Sequence, residues 1–463
     1  MPRAGPCSSK QDKSDMNSLL SKYAVWYPAF FLRGQKVWKE AEFFSETPHY
    51  ESECLRICQF RLFKKILSFA YEHIPFYKKK YDDAGVHPDH IRRPDDMDKI
   101  PILTKQEIRE KGKTIYNKHY SGLKFRRSTS GSTGSPMTFC KDALSMAVMD
   151  AILYRNYSWL GIDIGFRQAR FWGHPLSRTG GFKTKMADCL LNRVRLSAFH
   201  LEEKNYRLYL EKIERFKTQY IYGYAQSVFQ FAHYFYHKNR DLSYLNLKGI
   251  ILTGEMIYPG QIEVIKKVFG CEVAEEYGCT ELGVIAFRCR GGNMHLMENL
   301  LVESVYDPSD KTHGNIIVSE LYGQLFPFIR YQIGDRGSIS YRKCSCGRNL
   351  PILDNIAGRK DSFIRCPDGK LADPCVLSYI LDEMPEEYGS ISQYRIIQEK
   401  IDSLTVCLVA HGNKEKITEY NQKEFRKVLA EDMKTDVCFF PLLPKNNSGK
   451  LACFVSKLEG NGG

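Results

Sequence analysis

Two short runs, Tyr220-Ile221-Tyr222 and Ile250-Ile251-Leu252-Thr253, constrain the fold more than any other feature of the sequence. Each is too short for a helix and has no charged face, the pattern of a strand covered on both sides in a parallel sheet. From Tyr206 to Lys248 longer, aromatic-rich stretches at helical spacing alternate with them. The predicted class is α/β. At 463 residues the chain exceeds the roughly 250 to 300 that one core supports, so at least two domains are expected. After Ile356 the texture changes. Ser392 to Gln398 and Leu404 to Ala410 read as strands and Lys414 to Leu429 as a helix, which predicts a small α+β domain of about a hundred residues.

Upstream, Leu62, Phe63, Ile66, Leu67 and Ala70 recur at helical spacing and Pro75 ends the pattern, so an amphipathic helix is expected there. Thr104-Lys105-Gln106-Glu107 has the form of a capping box and predicts a helix running on from Thr104. Hydrophobic residues at 43% and charged residues at 26% exclude disorder, collagen and coiled coil as the overall class. The net charge, 67 − 54 = +13, favours polyanionic partners such as nucleotides, coenzyme A, nucleic acid or an acidic membrane. The basic residues are dispersed and no nucleic-acid-binding motif accompanies them, so no nucleic-acid partner is expected. Ala24 to Leu32 is too short for a membrane span and contains Pro28, so no integral membrane segment is expected. The first fifteen residues lack an apolar core, which argues against a secretory signal and for a cytoplasmic location. Fifteen scattered cysteines, an odd number, read mainly as reduced thiols.

Ser128-Thr129-Ser130-Gly131-Ser132-Thr133-Gly134-Ser135-Pro136 is a loop by composition. Its glycines allow amides to converge on phosphate oxygens and its hydroxyls add donors, although it is not a GxxxxGK[ST] loop and a solvated linker has the same composition. Glu275-Glu276-Tyr277-Gly278-Cys279-Thr280-Glu281 brings together an aromatic ring for a base, a hydroxyl for phosphate and a carboxylate for Mg²⁺. Tyr331-Gln332-Ile333-Gly334-Asp335, Gly358-Arg359-Lys360-Asp361 and Leu443-Pro444-Lys445-Asn446-Asn447-Ser448-Gly449-Lys450 follow. Taken singly, Asp335 after a glycine can close a turn, Glu281 can cap a following helix and Lys450 can be an exposed lysine.

Five signatures in this order resemble the adenylate-forming superfamily of acyl-CoA synthetases, luciferases and peptide-synthetase adenylation domains. Ala70-Tyr71-Glu72-His73-Ile74-Pro75-Phe76-Tyr77 and Ile100 to Lys105 resemble its phenylacetate–CoA ligase branch, part of which accompanies surface-polysaccharide genes. The resemblance implies an N-terminal adenylating domain, residues 1–357, and a mobile C-terminal domain, residues 358–463. It makes Ser130, Gly131, Ser132, Thr133 and Gly134 the phosphate loop, Thr280 a phosphate contact and Glu281 the Mg²⁺ ligand. Gly254 and Glu255 would flank the adenine opposite Tyr277. Asp335 would hold the ribose hydroxyls, Arg359 would contact ribose or phosphate, Asp361 would be the hinge, and Lys450 would bridge the substrate carboxylate and the α-phosphate. Many relatives carry a lysine before the loop's proline, where this chain has Ser135.

Cys289, His295, Cys344 and Cys346 offer the thiolate and imidazole ligands of a closed tetrahedral zinc site, and Gly347 leaves room for a tight knuckle. Buried cysteines without a metal are the alternative. Zinc-bearing members of the branch have a similar pattern, and four protein ligands make the role structural. Cys279 reads as a packing residue, since no base accompanies it in sequence. His174 is a candidate for an acyl-pocket loop and Tyr222 to Gln226 for the pocket wall, and both have structural alternatives.

The expected activity is ATP-dependent adenylation of a carboxylic acid, aryl or otherwise small, with transfer of the acyl group to coenzyme A or a carrier thiol and release of AMP and pyrophosphate. ATP, Mg²⁺, structural Zn²⁺ and coenzyme A are the cofactors implied, and a homodimer is the assembly considered. The alternatives are an adenylate-forming enzyme of surface-polysaccharide or cofactor biosynthesis with a non-CoA acceptor, and a non-catalytic nucleotide-binding module.

Overall fold

The computed structural model describes residues 18–129, 137–172, 182–198, 201, 203–257, 259–307, 310–354, 356, 364–368, 371–372, 377, 380–381, 384–385, 387–430, 432–444 and 451–458. The expected phosphate loop (Ser130 to Gly134), Ser135, His174, Arg359, Asp361, Lys450 and the boundary at 357/358 lie outside the described residues.

Two short helices, Tyr27–Leu32 and Val37–Glu46, precede α1 (Ser52–His73), whose stripe of Phe63, Ile66, Leu67 and Ala70 is buried as its spacing requires. Ile74 turns extended, and Pro75 begins the next helix at a position whose amide has no helical partner in any case. The capping box forms. Thr104 Oγ1 accepts from the Glu107 amide at 3.2 Å and Glu107 Oε2 from the Thr104 amide at 2.8 Å, opening the helix Lys105–Lys111.

An antiparallel hairpin of β1 (Lys124–Ser128) and β2 (Thr138–Asp142) leads into α2 (Ala143–Ser158). The strands β3 (Gln168–Trp172), β4 (Arg193–Ser197), β5 (Tyr220–Tyr224) and β6 (Gly249–Thr253) are parallel, and β7 (Val273–Cys279) joins β6 in the same sense. Every residue of β6 is buried, which accounts for its uninterrupted apolar run. α3 (Ala225–His237) and α4 (Pro259–Phe269) are crossovers between these strands. From β8 (Gly283–Arg288) the sheet turns antiparallel through β9 (Met294–Leu296), β10 (Leu300–Asp307), β11 (Asp310–Glu320), β12 (Tyr331–Ser340) and β13 (Ile352–Asp354). Among the described residues these strands form one eleven-stranded sheet.

Beyond it, β14 (Ile364–Arg365) pairs with β15 (Leu371–Ala372), and β16 (Gly389–Lys400), β17 (Ser403–Gly412), β18 (Lys434–Phe439) and β19 (Phe454–Ser456) form a separate four-stranded sheet in the order β18-β17-β16-β19. α5 (Lys414–Val428) contributes Ile417 and Phe425 to a core of its own with Ile396, Leu404, Val406 and Leu408. The two sheets meet where Gln393 of β16 donates from Nε2 to Gln230 Oε1 of α3 at 3.1 Å. Among the described residues no helix is long and apolar enough to cross a membrane.

The same contact region holds His233 of α3, whose Nε2 lies 2.9 Å from Nε2 of His237. Burial, with His237 and His411 of β17 adding repulsion, lowers His233 to about 4. The unfolded chain takes up this proton near pH 6.5 and the folded one only near pH 4, so the stability from neutral His233 is full above pH 6.5 and is lost as the pH falls toward 4. Between pH 6.5 and 5 the loss is about 2 kcal/mol. We expect His233→Gln to reduce the fall in the urea midpoint between pH 7 and pH 5. An identical fall in parent and variant would contradict the assignment.

Candidate functional site

The ends of the expected phosphate loop are pinned by local pairing. Ser128 lies opposite Thr138 across the β1–β2 hairpin, the Thr129 amide donates to Met137 O at 2.9 Å, and the Met137 amide donates to Thr129 Oγ1 at 2.9 Å. Lys141, one of the most buried side chains, pairs with Glu320 of β11 at 2.7 Å, fixing β2 to the large sheet. Leaving either partner alone would strand a buried charge, which makes this anchor costly to break. Phe139 of β2 packs on Phe328, Phe328 packs on Tyr331, and Tyr331 donates its hydroxyl to Glu281 Oε1 at 3.0 Å. The hairpin stem is thus tied to the Thr280-Glu281 turn through three aromatic rings.

At that turn Gly278 admits no side chain, because a Cβ would lie 2.2 Å from the Gly283 carbonyl oxygen. Glu281 is buried and is followed by the strand β8, so it caps no helix. Its bond from Tyr331 engages one oxygen and leaves the second free of described partners, a donor set that suits a hard cation. Cys279 behaves as a packing residue, since burial and the nearby Glu281 charge push its thiol well above the ordinary range.

Tyr277 donates its hydroxyl to Asp335 Oδ2 at 2.7 Å, so the ring expected to stack on the base and the carboxylate expected at the ribose are neighbours, although 58 residues separate them. Asp335 lies within β12, after Gly334 at φ +95°, and not in a connecting turn. The residue that sets this strand is Arg330, which the sequence reading missed. Its guanidinium is buried and donates to the carbonyls of Met97 and Ile100 at 2.7 Å each, while the Arg330 carbonyl accepts from the Leu103 amide and the Gln332 amide donates to Leu103 O, both at 2.9 Å. Arg330 holds φ at +47°, a strained value for a side chain with a Cβ, sustained by those bonds.

Gly254, at φ +75°, aims Glu255 toward two amides: Gln226 at 3.0 Å and Leu451, from the C-terminal part of the chain, at 2.8 Å. Glu276 accepts from Tyr157 at 3.1 Å and from Tyr222 and Thr253 at 3.3 Å, and burial pushes its carboxyl upward despite these bonds. Tyr222, expected in the wall of an acid pocket, is bonded here to Glu276, which was legible only as part of a motif.

The four metal-ligand candidates converge. Their donor atoms all lie within 4.8 Å of one another. Cys289 follows β8, His295 sits in β9, and Cys344 and Cys346 lie between β12 and β13. Cys289 Sγ is 3.6 Å from Cys344 Sγ, and His295 Nε2 is 3.2 Å from Cys346 Sγ. Zinc–thiolate bonds of about 2.3 Å at tetrahedral angles put sulfurs roughly 3.8 Å apart, so the cluster fits that ion. Knuckles close at Gly292, whose amide donates to Cys289 O, and at Gly347, whose amide donates to Cys344 O. His295 Nδ1 lies 3.0 Å from Leu350 O, which directs Nε2 at the thiolates, and burial lowers its pKa so that it stays neutral. Burial opposes ionisation of Cys344, but hydrogen bonds from the Cys346 amide and Asn293 prevail and bring it to about 7.

No family model matches the chain. It is 23% identical over 391 residues to Protein CapK of Staphylococcus aureus, covering 80% of this chain and 83% of that protein. It is 24% identical over 335 residues to a phenylacetate–coenzyme A ligase of Thermus thermophilus, covering 67% and 72%. Among solved structures, 2-hydroxyisobutyryl-CoA ligase in the postadenylation state aligns with TM-score 0.71 at 17% identity over 89% of this chain and 92% of that one. The same ligase in the thioesterification state aligns with TM-score 0.57 at 18% identity over 89% of this chain and 92% of that one. In motif order and in these likenesses the chain is similar to the adenylate-forming enzymes of the phenylacetate–CoA ligase type.

Proposed function

We propose that the protein is an AMP-forming acid–thiol ligase that joins a carboxylic acid to ATP and passes the acyl group to coenzyme A. The observation that carries this reading is the bond from the Leu451 amide to Glu255. It holds the residue after Lys450 against the Thr253-Gly254-Glu255 segment, whose Thr253 pairs with Glu276 on the strand that carries Tyr277. Adenylation brings two anions together, the carboxylate and the α-phosphate, so it needs fixed positive charge where the new bond forms. In this reading Lys450 supplies that charge, the amides and hydroxyls from Ser130 to Gly134 hold the phosphates, and Thr280 adds a hydroxyl. Mg²⁺, when bound at Glu281, would neutralise phosphate charge. Tyr277 and Gly254 enclose the adenine, Glu255 orients this segment, and Asp335 and Arg359 take the ribose.

The proposed division is 1–357 and 358–463, with Asp361 as the hinge on which the C-terminal domain turns between half-reactions. A cytoplasmic location fits a substrate set of ATP and coenzyme A. The likeness to CapK over most of the chain favours a second reading, the same adenylation with an acceptor other than coenzyme A in surface-polysaccharide synthesis. The metal, in this reading, is one Zn²⁺ on Cys289, His295, Cys344 and Cys346, tying the β8–β9 turn to the β12–β13 connection.

Acid-dependent exchange of labelled pyrophosphate into ATP tests the activity. We expect Lys450→Ala to slow exchange by about 10²- to 10³-fold while sparing transfer from a supplied acyl-adenylate to coenzyme A. Exchange at the parent rate would remove Lys450 from the reaction.

Metal analysis of the purified chain should give one zinc per molecule, and Cys344→Ser should lose the zinc and lower the melting temperature by about 10 °C. A zinc-free preparation with an unchanged melting temperature would sink the structural-metal reading.

A further inference from the structure

The face of the parallel sheet that packs against α2 is unusually polar for a buried surface. Parallel register places Arg195, Arg170 and Tyr222 in one row across β4, β3 and β5, and Arg193, Gln168 and Tyr220 in the row behind. In front of them, Tyr224, Thr253 and Glu276 form the row at the nucleotide motif. Behind that front row is a cavity of about 120 Å³ whose wall includes Tyr154, Tyr157, Arg170, Arg193, Tyr220 and Tyr222 and, among the described residues, no carboxylate.

The cations on this face are not equally satisfied. Arg193 and Arg195 share Asp188, each at 2.8 Å. Arg170 has no anionic partner among the described residues. Its guanidinium lies over the rings of Trp172, at 4.3 Å, and Tyr222, at 5.1 Å, while its buried Nε makes no hydrogen bond. Of the hydroxyls that could solvate an anion, Tyr157 and Tyr222 donate to Glu276, whereas Tyr220 accepts from Gln168 at 2.9 Å and keeps its own O–H to donate. A guanidinium with unused donors, which feels the Glu276 charge through space but bonds to no carboxylate, is a poor solution for stability alone, because it loses hydration without gaining a bonded counter-charge. It is a good receptor for a carboxylate, which it can grip with two parallel bonds.

We infer that this cavity receives the far end of the acid substrate and that the acid carries a second carboxylate, as in a short dicarboxylic acid. The inference rests on the reading of the chain as an acid-adenylating enzyme and names the substrate class of that site. Geometry sets the size. The Arg170 row lies two residues behind the Thr253–Glu276 row, about 7 Å along the strands. Trp172 stacks on Tyr224 of the front row at 4.3 Å, and a spacing of about 7 Å fits an acid of the size of succinate or glutarate. Glu276, just in front of the cavity, adds repulsion against a carboxylate left short of Arg170.

The test is pyrophosphate exchange with matched acids: succinate and glutarate against butyrate and valerate, with phenylacetate and benzoate alongside. We expect a dicarboxylate to exceed its matched monocarboxylate by about tenfold or more in kcat/KM. Arg170→Gln should raise the KM for the dicarboxylate by a similar factor and leave the KM for ATP unchanged. Arg170→Lys, which keeps the charge and loses the fork, should recover part of the loss, and it serves as the test if the glutamine variant does not fold. Exchange that favours monocarboxylates, or a dicarboxylate KM unchanged in both variants, overturns the inference and leaves the adenylation reading standing. No exchange with any acid, in protein shown to bind ATP, removes that reading and the inference with it.

Discussion

The Glu255 carboxylate joins two parts of the chain 196 residues apart, accepting the Leu451 amide on one oxygen and the Gln226 amide on the other. The geometry of the site depends on this contact. Gly254 turns through a left-handed conformation to present the carboxylate at the end of β6, α3 begins at the amide it binds, and the strand-forming segment after Leu451 is held at the mouth of the large sheet. A charge-assisted bond to a backbone amide is worth about 1.5 to 3 kcal/mol. A contact of that size selects one arrangement of the two sheets without locking it, which suits a reaction with two steps at one site.

Around this contact the large sheet is made rigid by buried polar pairs that each serve one piece of the site. Lys141 with Glu320 fixes the stem of the expected phosphate loop, and Arg330 with the Met97 and Ile100 carbonyls fixes the strand that carries Asp335. Arg155 with Glu298, at 2.8 Å and almost fully buried, joins α2 to the turn before β10. Such pairs contribute little net stability compared with apolar packing, but each is expensive to break singly. They specify position, and position is what a site assembled from distant segments requires.

Much of this was legible in the sequence where a local rule decides the outcome. The apolar run of β6, the capping box at Thr104 and the stripe of α1 each follow from spacing alone, whereas the four ligand candidates were marked by residue type and family resemblance and it is the fold that brings their atoms together. Tyr277 and Asp335 were recognisable as members of motifs, while their contact required the antiparallel half of the sheet, which no short-range pattern announces. Arg330, Glu276 and Arg170 were not legible as functional positions. Glu276 and Arg170 are charged residues in strands and Arg330 sits just before one, and sequence alone cannot tell whether such a side chain is turned to water or into the protein. The helices before Glu46 were missed for a related reason. They expose Phe31 and Leu32, so they lack the clean amphipathic stripe that marked α1.

The central claim is that this chain cleaves ATP between the α- and β-phosphates in order to activate an acid. The most direct measurement is the identity of the nucleotide product when the protein is incubated with ATP, Mg²⁺, coenzyme A and a panel of carboxylic acids, followed by chromatography. The account predicts AMP and pyrophosphate in equal amounts, formed only when an accepted acid is present and matched by acyl-thioester. ADP and phosphate as the products, or AMP formed at the same rate without any acid, would contradict it.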